Sequence, residues 1–145
     1  MTSPARAEVV LVSRVLPAPP AEVFDWLTDP AKLARWMSPQ GEIVAQADAR
    51  VGGRLVVVMV GDGTRIEHRG KYLEVAPPER LVFTWNSVYT AGDSLVTIDL
   101  QEQAGGTLLT LRHERLPLDH ADAHLGGWTK ILERLALEIR DAGEG

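Results

Sequence analysis

The sequence predicts an α+β domain in which a curved antiparallel sheet of about seven strands is folded around one long C-terminal helix. Three observations carry that expectation. Between Asp119 and Arg140, the residues Leu125, Trp128, Ile131, Leu132, Leu135, Ala136 and Ile139 recur at helical spacing and form one wide apolar stripe. From Glu42 to Glu114 the apolar residues recur instead at every second position, in short runs divided by turn residues. Between these two regimes and the N-terminus, Pro20 and Pro30 each stand where a proline can open a helix.

In chain order, residues 1–6 read as a loose tail and Glu8 to Leu16 as a β-branched strand. Pro17, Pro19 and Pro20 then stop it, because proline cannot donate to a ladder. Ala21 to Leu27 carries Val23, Phe24 and Leu27 on one helical face with Trp26 beside it. Thr28-Asp29-Pro30 closes that helix and restarts a second short one through Trp36, which Pro39 and Gly41 end. Six strands are expected at 42–48, 53–60, 64–75, 80–87, 94–102 and 107–114. Their separators are Gly52-Gly53, Gly61-Asp62-Gly63, Pro77-Pro78, Ala91-Gly92-Asp93 and Ala104-Gly105-Gly106, which supply the positive or fixed φ that tight turns need. The C-terminal helix runs for roughly 20 residues, or about 30 Å. Asp119 or Asp122 is its candidate cap, Gly143 its stop, and Lys130/Glu133 and Arg134/Glu138 its expected surface ion pairs.

Alternation also assigns faces. Leu81, Phe83 and Trp85 share one side of their strand, as do Val96, Ile98 and Leu100, and Leu109, Leu111 and His113, and these sides should face the helix. Leu55, Val57 and Met59 line the same concave face, joined by His68, Gly70 and Tyr72 unless a bulge near Gly70 flips part of that strand. Glu67, Asp99, Gln101 and Arg112 take the opposite face.

With 145 residues the chain is expected to form a single domain over 1–145, with a core from about 8 to 140. A net charge of -5 without a basic block argues against nucleic acid and anionic membrane as partners. The absence of cysteine excludes disulfides, thiol nucleophiles and thiolate metal sites. Neither a signal peptide nor a membrane span is read in the first residues, so a cytoplasmic location is expected.

Motifs for nucleotide binding and for serine-nucleophile catalysis are missing, and the glycine clusters are turns. His120 and His124, four apart near Asp119 and Asp122, have a spacing that can present two imidazoles to a metal. The simpler reading is exposed polar residues on a first helical turn, and no metal or cofactor is expected. His113 continues an apolar inward face, which leaves two readings open. It is a structural histidine satisfied by Tyr72 or a backbone carbonyl, or else a group that orients a ligand or acts as a general base. His68 stands under the same alternatives. Met59, Tyr72, Phe83, Trp85 and Trp128 converge on the space that a curved sheet leaves beneath a helix, and with His68 and His113 they are the candidate ligand-binding residues.

Taken in order, several short motifs resemble one family. They are Ala21-Glu22-Val23-Phe24 leading to Leu27-Thr28-Asp29-Pro30 and Trp36, the turn Arg50-Val51-Gly52-Gly53, and Gly70-Lys71-Tyr72-Leu73-Glu74-Val75 running to Pro77-Pro78-Glu79-Arg80-Leu81. Phe83-Thr84-Trp85, Gly106-Thr107 with Leu109, Leu111 and His113, and Gly127-Trp128 with Leu132 and Leu135 complete the set. The chain is similar to the AHSA1-like domains, the activator of Hsp90 ATPase homologues, within the START-like (SRPBCC) superfamily. That resemblance implies the helix-grip fold and a cavity between sheet and C-terminal helix that holds a small apolar or amphipathic ligand. The family's eukaryotic cochaperone members carry an additional N-terminal domain with no counterpart in this sequence. Ligand binding without catalysis is therefore the leading expectation. A chaperone-linked or regulatory interaction module, and a cavity enzyme using an inward histidine, are the alternatives, and monomer and homodimer both stay open.

Overall fold

A computed structural model describes residues 8–37, 42–61, 64–88, 90, 94–116 and 118–144. The expected tail at 1–6, the helix stop at Pro39 and Gly41, and the turn residues 62–63 and 91–93 lie outside the described residues. The elements follow in the order β1 (Glu8–Leu16), α1 (Pro20–Thr28), α2 (Pro30–Trp36), β2 (Glu42–Ala47), β3 (Arg54–Gly61), β4 (Thr64–Ala76), β5 (Arg80–Trp85), β6 (Ser94–Gln103), β7 (Gly106–Leu116) and α3 (Leu118–Glu144). The strands form one antiparallel seven-stranded sheet in the order β1-β7-β6-β5-β4-β3-β2. Every neighbouring pair but β1 and β7 is consecutive in the chain, so the meander closes on its first strand. This is the helix-grip arrangement, a curved sheet holding a long C-terminal helix.

The local chemistry explains where elements begin. Pro20 and Pro30 occupy the first helical positions of α1 and α2, where a missing N–H costs nothing. The Asp29 carboxylate accepts from Ala31 N at 2.9 Å and caps α2. Trp36 is buried and donates its Nε1–H to the Trp26 carbonyl at 2.9 Å, which ties the two short helices together. Helix α2 is fastened to α3 by Arg35, whose side chain pairs with Glu138 at 2.9 Å and whose carbonyl accepts from Arg134 Nε at 2.8 Å. The sequence pairs Arg134 with Glu138 along α3; in the fold both reach across to α2.

The concave face follows the alternation. Leu55, Val57, Tyr72, Leu81, Phe83, Trp85, Val96, Ile98, Leu100, Leu109, Leu111 and His113 are all buried, as are Trp128, Ile131, Leu132, Leu135, Ala136 and Ile139 of α3. Glu67, Gln101 and Arg112 face solvent on the other side. Three expectations shift. Leu125 is 43% exposed, so the apolar stripe starts at Trp128. Helix α3 starts at Leu118 and includes Gly143, so Asp122 is an internal helical residue and Gly143 is no stop. The bulge of β4 lies between Tyr72 and Glu74, not at Gly70.

Gly70 has a different role. A Cβ there would collide with the carbonyl oxygen of Thr84 on β5, so glycine permits a close backbone approach. A larger side chain at Gly70 cannot be used to narrow the space beneath α3 without displacing β5.

Candidate functional site

Beneath the N-terminal half of α3 the sheet and helix separate and leave a cavity of about 230 Å³ lined by Met59, Ile66, His68, Trp85, Ala123, His124, Gly127, Trp128 and Ile131. A water molecule takes about 30 Å³ of liquid volume, and an apolar cavity of about 150 Å³ admits benzene, so the space suits a compact organic molecule. Strand β3 contributes Met59, β4 contributes Ile66 and His68, and β5 contributes Trp85. Helix α3 supplies Ala123, Gly127 and Ile131 at four-residue intervals, one face of a helix, with His124 and Trp128 beside them. Met59, Ile66 and His124 are half-buried and Ala123 is exposed, which places the mouth at that side.

The walls are rings at fixed angles. The His68 imidazole stacks on Trp85 with centroids 4.6 Å apart and planes 20° apart. Trp85 meets Trp128 at 5.7 Å and Phe83 edge-on at 5.8 Å. Phe83 in turn meets Tyr72 edge-on at 6.0 Å. Each such pair adds about 0.5–1.5 kcal/mol beyond area burial, so the aromatic row is a rigid surface.

His113 lies behind this row. Trp128 Nε1–H donates to His113 Nδ1 at 3.0 Å, which makes Nδ1 the acceptor and puts the ring proton on Nε2. Nε2 lies 2.8 Å from Ser94 Oγ and donates to it, and the Ser94 hydroxyl donates onward to the Trp85 carbonyl. Both ring nitrogens are thus engaged in a dry environment. Burial pushes the His113 pKa down to about 3, helped by repulsion from His124 and His68, and the neutral tautomer demanded by the hydrogen bonds is the one that burial favours. His124 packs edge-on against His113 at 5.1 Å.

His68 contrasts with it. It is also buried, yet its Nδ1 has no hydrogen-bond partner. Burial drives its pKa down to about 4, with hydrogen bonding to the Val57 backbone pulling upward and repulsion from His124 adding a smaller downward push. At neutral pH it is an uncharged imidazole in a wall whose other polar side chain is His124.

Of the residues singled out from the sequence, the fold brings Met59, His68, Trp85 and Trp128 to the cavity. Tyr72, Phe83 and His113 do not line it. Tyr72 and Phe83 extend the aromatic row into the packed core, and His113 is shut off behind Trp128 with Ser94, not Tyr72, as its partner. Ile66, Ala123, His124, Gly127 and Ile131 line the space without having been named as ligand-binding candidates. Ile66 shares the inward parity of His68, and Ala123, Gly127 and Ile131 share one helical face, so periodicity carries a signal for them. His124 is half-buried against His113, not an exposed residue of a first turn. The side chain of His120 lies outside the described residues, and among those described no three His, Asp or Glu side chains gather to hold a metal ion. No described helix is long and apolar enough to cross a membrane.

Fold and cavity together define a helix-grip domain with an open-mouthed space between its sheet and its C-terminal helix. The chain belongs to the family of Activator of Hsp90 ATPase homolog 1-like proteins, whose model matches residues 17–139. Among solved structures it is similar to protein CV1439 from Chromobacterium violaceum, at 33% identity and a TM-score of 0.79, with 90% of this chain and 96% of that one covered. CalU16 from Micromonospora echinospora is 30% identical with a TM-score of 0.74, over 96% of this chain and 81% of that one. A Rhodobacter sphaeroides protein shares the fold at a TM-score of 0.81 over 97% of both chains, at 22% identity. No protein of curated function matches the sequence. Family membership places the chain among ligand-binding and regulatory domains.

Proposed function

We propose that this domain binds a small, largely apolar molecule in the cavity between the sheet and α3. The observation that carries the reading is the composition of the cavity wall. Seven of its nine residues are apolar, glycine or tryptophan, and the two imidazoles are the polar exceptions. Pockets for organic ligands have this character, with a few polar groups that fix orientation. A folding core of this size has no need of the gap, because unfilled apolar space costs stability that tighter side chains would recover.

The wall also speaks against catalysis as the leading activity. His113, the inward histidine best placed for a base by sequence, has both nitrogens committed to the fold, and His68, held by burial at a pKa of about 4, is a weaker base than a free imidazole. Calorimetric titration with naphthalene and related one- and two-ring compounds tests the reading. We expect one site per chain and a negative heat-capacity change, the mark of apolar burial. No uptake by any member of such a panel would overturn it.

A further inference from the structure

We propose that the outer face of β3 and β4 is a docking surface for an acidic, partly apolar segment of a partner protein. The face lies on the side of the sheet away from α3, so it is independent of the cavity and of the ligand reading.

The strand register builds this surface. Leu55, Val57 and Met59 of β3 point toward α3, so Arg54, Val56, Val58 and Val60 point away, and β4 sets Lys71, Arg69, Glu67 and Arg65 directly opposite them. Arg54 and Lys71 are therefore cross-strand neighbours with Cβ atoms about 5 Å apart, a position in which like charges destabilise a sheet. Both are exposed. Other cations on this side of the sheet are neutralised within the fold, Arg69 by Glu67 and Arg80 by Glu74 and Asp99. Arg54, Arg65 and Lys71 have no ion partner among the described residues. A chain of net charge -5 thus carries, on the outer side of β3 and β4, four cations and one carboxylate among its described side chains. An anionic partner would relieve the repulsion that the fold leaves standing.

The same face has an apolar strip beside the cations. Val44 of the edge strand β2 is 54% exposed and stands opposite Val58, with Val56 and Val60 half-buried on either side. Carboxylates alone would leave that strip wet, so the partner that fits carries apolar side chains as well. None of the described outward side chains of β2, β3 and β4 is aromatic, so bases have nothing to stack on, and the net negative charge repels a polyanion. A bilayer surface needs large apolar anchors, which valines do not supply. From Arg54 to Val60 the strip is about 20 Å long. Three strands of that length bury under about 1,200 Å² against a partner, the range of transient complexes.

The test titrates the full chain into fluorescently labelled peptides of about twelve residues and follows their anisotropy. One peptide is made of Glu, Asp, Leu and Val; a second has Lys in place of Glu and Asp; a third has Ser in place of Leu and Val. Wild type should bind the first about tenfold more tightly than either control, and raising salt from about 0.05 to about 0.3 M should weaken that binding several-fold. Lys71→Glu turns the repelling pair into an attracting one. Its urea midpoint should therefore equal or exceed that of wild type while its affinity for the acidic peptide falls about tenfold, a separation that a merely structural lysine would not give. The proposal is overturned if wild type shows no preference for the acidic apolar peptide or binds a single-stranded oligonucleotide more tightly than that peptide. It is overturned equally if Lys71→Glu leaves peptide binding undiminished or lowers the urea midpoint.

Discussion

Two buried histidines on the same concave surface stand in different surroundings. At His113, on β7, Trp128 donates to one nitrogen and Ser94 accepts from the other, and the side chain is fully buried. At His68, on β4, the ring is packed just as firmly against Trp85, but its Nδ1 has no partner and a cavity opens beside it. Burial and a depressed pKa are common to both, so neither property tells the two histidines apart. What distinguishes them is whether the fold itself satisfies the ring.

The contrast can be strained from both sides. Packing under α3 sets the scale. Leu132→Ala and Leu135→Ala remove side chains that are 1% and 0% exposed, and each should cost about 2–5 kcal/mol in urea melts. Leu137, 48% exposed on the far side of the helix, should cost under about 0.5 kcal/mol as alanine. Equal losses at all three positions would mean that the helix is docked differently. His113→Leu comes next. It strands the Trp128 Nε1–H in a dry core, so the same melts should lose about 2–4 kcal/mol. His68→Leu removes a group the fold leaves unsatisfied and should change stability by under about 1 kcal/mol in either direction. If the two histidine variants are equally damaging, the contrast between them collapses.

Acid should act on both histidines at once. The unfolded chain takes up a proton on each near the ordinary value of 6.5, whereas the folded chain resists to about 4 at His68 and about 3 at His113. In that interval the unfolded state binds more protons, so stability is complete above about 6.5 and falls as the pH drops toward 4. His68→Phe should flatten part of that slope and His113 should account for the rest. Urea midpoints measured from pH 7.5 to 4.5 check the sign, and a midpoint that rises on acidification would contradict it.

Much of this was legible in the sequence, and the reason is periodicity. A repeat of two with turn residues between runs located the strands to within a residue or two, and a helical repeat in the last segment located α3. Parity put His68, Trp85, His113 and Trp128 on facing surfaces. Parity cannot tell which inward residues touch each other, and there it ran out. His113 and His68 have the same inward phase. Only the cross-strand register, which sets Val96 opposite His113 and brings Ser94 within 2.8 Å, shows that one is closed off. The smallest residues were also silent. Gly127 contributes to the cavity by lacking a side chain, and a search for bulky or titratable groups passes over it.

That glycine offers the most direct measurement. It stands in the interior of α3, where glycine costs roughly 1 kcal/mol relative to alanine, and a Cβ built on it meets no atom within 4 Å. No packing constraint therefore explains its presence, and it lies on the cavity wall. Gly127→Leu should place a side chain in the cavity without disturbing the core. Urea melts and naphthalene titration on the same protein should then show stability equal to or above wild type together with a loss of binding of tenfold or more. Undiminished binding in a variant of unchanged stability would show that the space between sheet and helix is not where this protein holds its ligand.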